Sequence, residues 1–144
     1  MELAELARAC GVKPVFFMTW AEKRFPENQE KMIRVYNQMA QESNALLARV
    51  GEAWQKVLKE EKDIDLFFKD GEHASIYGDL LIALVMVRTL CPDKALCLPD
   101  RLIDFAVRFD EKKPEASLTE ERYVEYDRQA GERLVRQVES VYGS

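Results

Sequence analysis

A continuous apolar run near the start of the chain constrains the fold most. Residues Val15 to Trp20 read Val-Phe-Phe-Met-Thr-Trp, without the alternation that marks a strand with one face in water. Such a run is typical of a parallel strand covered on both faces. A stretch with helical spacing of apolar residues follows over 29–42, and Ala45 to Val50 is a second strand candidate. The pattern predicts α/β architecture, with the two strands adjacent and parallel.

The remainder of the chain is predicted to be mainly helical. Apolar residues recur at helical spacing over the ranges 2–10, 52–61, 76–90 and 99–109. Asn28 and Ser75 are candidate N-caps for the helices that follow them. After a charged linker over 111–116, either Ser117 or Thr119 can cap a last helix. We therefore expect an α/β part over 1–91 and a helical extension over 92–144, packed on the same domain.

Composition excludes several classes of function. The length of 144 residues favours a single domain. A net charge of −5 argues against a nucleic-acid or anionic-membrane surface. The longest apolar run, Leu80 to Val87, is too short to span a bilayer. The acidic, amphipathic start is not a secretory signal, so the location stays open and any signal would lie upstream of Met1.

The cysteines and the single histidine argue against a metal site. Cys10, Cys91 and Cys97 match no metal or redox spacing, and the chain has one histidine. We expect free thiols and no metal or cofactor. A disulfide between Cys91 and Cys97 is an open alternative.

The candidate chemistry lies in the segment Asp70-Gly71-Glu72-His73. An aspartate three residues before a histidine can fold back and accept the imidazole Nδ1–H. That bond would fix the tautomer and leave Nε2 free as a general base. A solvated surface turn is the alternative for an isolated pair at this spacing. Trp20, at a strand end, is a candidate for lining a substrate cleft, or else it packs under a loop.

The order of these parts resembles the C-terminal part of an SGNH/GDSL-type hydrolase, a family of serine esterases and acyl-hydrolases on a flavodoxin-like sheet. The resemblance covers roughly residues 3 to 90. It rests on three strings in sequence order: Met18-Thr19-Trp20-Ala21, Val50-Gly51-Glu52-Ala53-Trp54, and Asp70-Gly71-x-His73-x-Ser75-x-x-Gly78.

The resemblance implies a fold and an activity. The fold would be a partial flavodoxin-like three-layer α/β/α sandwich, in which Gly78 lets its helix pack closely on the sheet. Asp70 and His73 would be the catalytic acid/base pair, acting on an ester or acyl group of a small molecule, carbohydrate or lipid.

Other family parts are missing from the sequence. The family's nucleophilic serine lies in a Gly-Asp-Ser-like block, and a glycine and an asparagine supply oxyanion donors; no G-x-S string occurs here. Ser75 is better placed as a helix cap, and Ala74 stands where the family often has proline. We expect a chain that begins inside the domain and is inactive alone. Its open sheet edge at 15–19 would pair with itself or with an N-terminal half.

A helical protein-interaction module without a catalytic role is the competing hypothesis. It expects no hydrogen bond between Asp70 and His73 and no parallel βαβ unit.

Overall fold

A computed structural model describes residues 2–110 and 113–143, with side chains outside 104–121. The elements in chain order are α1 (Glu2–Ala9), β1 (Val15–Phe17), α2 (Asn28–Glu42), β2 (Leu46–Ala48), α3 (Val50–Glu60), α4 (Ile76–Leu90), β3 (Leu102–Asp110), β4 (Lys113–Val124) and α5 (Arg128–Tyr142). The protein is thus mixed α/β, with a short parallel pair of strands and an antiparallel hairpin.

The predicted βαβ unit is confirmed. β1 and β2 pair in parallel with Val15 opposite Leu46 and Phe17 opposite Ala48, and α2 forms the crossover. Both strands are shorter than predicted. β2 ends at Ala48, two residues before α3 begins at Val50. The amide of Gly51 donates to Met18 O at 2.9 Å, which ties the start of α3 to the end of β1.

Helix α4 matches its predicted bounds, and its predicted cap is confirmed. The hydroxyl of Ser75 accepts from the amides of Tyr77 and Gly78, each at 3.2 Å. Asn28 as the cap of α2 is wrong, because Glu27 occupies the N-cap position and makes no side-chain bond there. α4 is apolar almost all round, but Val87 and Leu90 are exposed.

The predicted helix over 99–109 is wrong, because this segment contains strand β3. Its apolar residues fit both the helical period and the alternation of a strand. The alternating apolar residues are Ile103, Phe105, Val107 and Phe109, each next to less apolar neighbours. Pairing with β4, which places Leu102 opposite Val124, decides between the periods. In this segment the side chains of residues 104–109 lie outside the described ones.

The last helix begins later than predicted. Ser117 and Thr119 as helix caps are wrong, since both lie in β4. α5 is capped instead by Asp127, whose side chain accepts from the amide of Gln129 at 2.8 Å. In the predicted linker, residues 111 and 112 lie outside the described residues and 113–116 belong to β4. The extension is therefore a hairpin followed by a helix.

One apolar core joins α5 to the α/β part. Leu134 and Val138 of α5 are fully buried in the same cluster as Trp54 of α3 and Leu81 and Val85 of α4. In the part of the chain that the structure describes, no helix combines the length and apolar character needed to cross a bilayer. The three cysteines are free, exposed thiols.

Candidate active site

The loop that carries Asp70 and His73 is closed at its base by a small antiparallel bridge. Phe67 pairs with Ala74, the amide of Phe68 donates to His73 O at 2.8 Å, and the amide of Ser75 donates to Leu66 O at 2.8 Å. Both ends of the loop are thereby fixed to each other.

Inside the loop, the carboxylate of Asp70 collects three hydrogen bonds. Its Oδ1 accepts from the amides of Glu72 at 2.9 Å and His73 at 3.0 Å, and its Oδ2 lies 2.7 Å from His73 Nδ1. The bonds from the Glu72 and His73 amides, then the imidazole bond, lower the pKa of Asp70 to about 2. Asp70 is therefore ionised at neutral pH and can only accept, so Nδ1 must carry the proton.

His73 presents its other ring nitrogen to solvent. Its side chain is 80% exposed, and the described residues offer no hydrogen-bond partner to Nε2. The hydrogen bond to Asp70, then the charges of Asp70 and Glu72, raise the pKa of His73 above its ordinary value. The predicted hydrogen bond is confirmed, and with it a geometry in which a neutral imidazole offers an unprotonated Nε2. The catalytic role itself stays a prediction.

Trp20 lies beside this loop. Its ring stacks on the buried ring of Trp54, with centroids 4.2 Å apart and planes 4° apart, and its indole N–H donates to Glu72 O at 2.9 Å. Trp20 is half-buried, so it packs against the loop as the alternative reading expected. A role in lining a substrate cleft stays a prediction.

Sequence reasoning missed Gln29, which fixes the backbone on either side of Trp20. Its side chain is buried; Oε1 accepts from the amide of Ala21 at 2.7 Å, and Nε2 lies 3.5 Å from Thr19 O. Gln29 stands three residues before Met32, on the apolar stripe of α2. A polar residue on the buried stripe of a helix is the signal that could have found it.

Charged side chains near the loop form ion pairs that include neither Asp70 nor His73. Arg24 lies 2.8 Å from Glu72 and 2.5 Å from Glu22, and Lys23 lies 3.7 Å from Asp65. All of these side chains are substantially exposed, so each ion pair contributes little stability.

Ser75, the serine nearest to His73 in sequence, is committed to structure. Besides capping α4, its hydroxyl donates to Asp65 O at 2.6 Å. The structure thus supports the sequence argument that Ser75 is a cap, and it leaves the site without a free hydroxyl from this residue.

The two residues after His73, Ala74 and Ser75, help to line a groove of about 550 Å³, together with Phe68. Residues of α4 between Ile76 and Val87 form another part of its wall. Leu96 and Leu102 contribute to its lining, which is mostly apolar.

Among residues 2–103 and 122–143, whose side chains the structure describes, no group of three or more His, Cys, Asp or Glu side chains could hold a metal ion. Comparisons with models of protein families, with characterised proteins and with solved structures find no match for this chain.

Proposed function

We propose that this chain supplies the Asp-x-x-His acid/base pair of an SGNH-type serine ester hydrolase, on part of a flavodoxin-like α/β/α sandwich. The observation that carries the proposal is the 2.7 Å contact between Asp70 Oδ2 and His73 Nδ1, with Nε2 open to solvent. The competing helical interaction module expects neither this bond nor a parallel βαβ unit, and the described residues contain both.

The pair would act through the roles that a serine triad assigns to histidine and aspartate. His73 Nε2 would take the proton of a nucleophilic hydroxyl as that oxygen attacks an ester carbonyl, and would then return it to the leaving group. Asp70 would stay ionised, hold the Nδ1–H tautomer and stabilise the imidazolium that forms.

In this proposal the nucleophile and the oxyanion donors come from another segment. The outer edge of β1, with which no described strand pairs, is a place where that segment can bind. Pro14 O accepts from Leu46 N, and Met18 N donates to Ala48 O, so these groups face β2. Because backbone groups alternate along a strand, those of Val15 and Phe17 face the opposite edge.

A parallel strand added at this edge would end close to the pair. Active sites in open α/β sheets form at the carboxyl ends of the strands, and the carboxyl end of β1 leads directly to Trp20, which contacts the loop of His73. The same edge carries exposed Val15 and Phe17, and an apolar strand edge invites pairing. Candidate partners are an N-terminal half or a second copy of this chain.

The substrate in this proposal is an ester or acyl compound, with small-molecule, carbohydrate and lipid esters all open. The mostly apolar groove lined in part by Ala74 and Ser75 offers room for the acyl part.

The isolated chain should have no useful turnover. Loss of the nucleophilic serine from a triad costs about 10⁶ in kcat, and loss of a single oxyanion donor costs about 10²–10³. Acid/base assistance alone cannot compensate, since it contributes about 10²–10⁴.

Complementation tests the proposal. The purified chain is mixed with the N-terminal half of an SGNH hydrolase that retains its nucleophile block and lacks its own D-x-x-H segment, and hydrolysis of 4-nitrophenyl acetate is measured. We expect activity only in the mixture, its loss in His73→Ala and its retention in Lys31→Ala, a remote surface control. Activity of the chain alone that is lost on mutating one of its own serines would overturn the proposal, as would a mixture whose activity does not need His73.

A further inference from the structure

We propose that Trp20 is a positioning residue for the Asp70–His73 pair, acting through the hydrogen bond from its indole N–H to the backbone carbonyl of Glu72. The inference rests on the proposed acid/base function of that pair, and it deepens it by naming what holds the pair in place.

The direction of the indole N–H is fixed from two sides. The ring of Trp20 lies flat on Trp54, which is 1% exposed and cannot move without disturbing the core. The backbone on either side of Trp20 is fixed by Gln29, through the amide of Ala21 and the carbonyl of Thr19. The indole N–H therefore has a fixed direction, and the carbonyl oxygen of Glu72 lies in that direction at 2.9 Å.

The bond from Trp20 reaches the same peptide group that binds Asp70. The carbonyl of Glu72 and the amide of His73 belong to one planar peptide unit. The indole N–H of Trp20 donates to the oxygen of this unit at 2.9 Å. The N–H of the same unit, which is the amide of His73, donates to Asp70 Oδ1 at 3.0 Å. One peptide unit thus links the tryptophan to the carboxylate that orients the imidazole.

The preceding peptide unit repeats this arrangement. The amide of Lys23 donates to Gly71 O at 2.9 Å, and the amide of Glu72 donates to Asp70 Oδ1 at 2.9 Å. Hydrogen bonds in a chain polarise one another, so a donor on the carbonyl strengthens the N–H of the same unit. Trp20 and Lys23, which follow β1, therefore fix the two peptide units whose amides bind Asp70. Lys23 acts through its backbone amide and Trp20 through its side chain.

The substitution Trp20→Phe tests the inference, because it keeps an aromatic ring on Trp54 and removes the N–H. The single histidine makes the NMR titration of His73 unambiguous. We expect the pKa of His73 to fall toward its ordinary value in the variant. We also expect exchange of the His73 amide to accelerate about fivefold, as for the loss of one hydrogen bond.

Tyr126→Phe is the matched control. Its hydroxyl donates to Pro99 O at 2.5 Å, so the variant also removes one bond from an aromatic side chain to a carbonyl, remote from the loop in sequence. The titration of His73 and the exchange of its amide should match those of the unaltered chain.

Measurements on the unaltered chain keep the inference testable if Trp20→Phe does not fold. The indole proton of Trp20 should then exchange more slowly than that of a free indole, and exchange at the free rate would overturn the inference. A folded Trp20→Phe chain with unchanged His73 titration and amide exchange would overturn it equally. Neither readout needs ester hydrolysis, so failure of the complementation experiment and failure of this inference are distinguishable.

Discussion

Gly78 lies directly against the carbonyl oxygen of Leu66. A Cβ at residue 78 would stand 2.4 Å from Leu66 O and 2.7 Å from the ring of Trp54. The same carbonyl accepts from the amide of Ser75, which closes the base of the His73 loop. The close approach of α4 therefore helps to set where the loop begins.

Gly78→Ala should destabilise the protein by about 3 kcal/mol, because neither backbone nor buried ring can yield to the added carbon without strain. Gly11→Ala is the control, since residue 11 has φ of +74° and open space around it. Its cost should be about 1 kcal/mol, from backbone strain alone. Urea unfolding measures both, and equal effects would contradict the close approach.

Ser75→Ala should destabilise the protein by about 1 kcal/mol through loss of the α4 cap. Ser75→Asp should recover only part of that loss, because a carboxylate can accept from the amides of Tyr77 and Gly78 but cannot donate to Asp65 O as the hydroxyl does. In the complemented mixture both variants should keep esterase activity. Loss of activity in a folded Ser75→Ala chain would mean that Ser75 is the nucleophile, contrary to the proposal.

The stability of the chain should depend on Asp70 at acidic pH. Since its pKa is lowered to about 2 from 3.8, its contribution is present above pH 3.8 and is lost as the pH falls through 2. The difference in unfolding free energy between the unaltered chain and Asp70→Asn should therefore shrink across this window. A difference that stays constant with pH would contradict the bonded carboxylate.

His73 should contribute with the opposite sign. Its pKa is raised above 6.5, mainly by the hydrogen bond that it donates to Asp70, so its stabilising effect is complete below pH 6.5 and is lost as the pH rises through the folded-state value. His73→Gln should cost more stability at pH 5 than at pH 9. Unfolding curves at the two pH values check this, and a larger cost at pH 9 would reverse the assignment.

The free edge of β1 should promote association. Phe17 is 40% exposed there, and Phe17→Lys should lower concentration-dependent self-association measured by sedimentation, because charge opposes pairing of strand edges. Phe25→Lys is the matched control, with similar exposure of 47% in a turn outside the strand. Equal effects of the two variants would point to general hydrophobicity and not to the edge.

The sequence predicted best what depends on neighbouring residues. The cap at Ser75 and the hydrogen bond from His73 to Asp70 each span three residues, so local geometry decides them. The contact from Trp20 to Glu72 spans 52 residues and depends on how α2 and α3 pack, which no spacing reveals. The prediction of a helix over 99–109 failed for the same reason. The residues of β3 fit both a helical and a strand period, and pairing with β4 decided for the strand.

The tautomer of the single histidine tests the central claim most directly. Histidine ¹⁵N NMR on the unaltered chain, titrated from pH 5 to 9, reports which ring nitrogen carries the proton in the neutral form. The Asp70–His73 pair predicts a proton on Nδ1, a bare Nε2 and a pKa above the ordinary value, with the pKa falling in Asp70→Asn. A proton on Nε2, with a pKa of about 6.5 as in an isolated histidine, would contradict the acid/base pair.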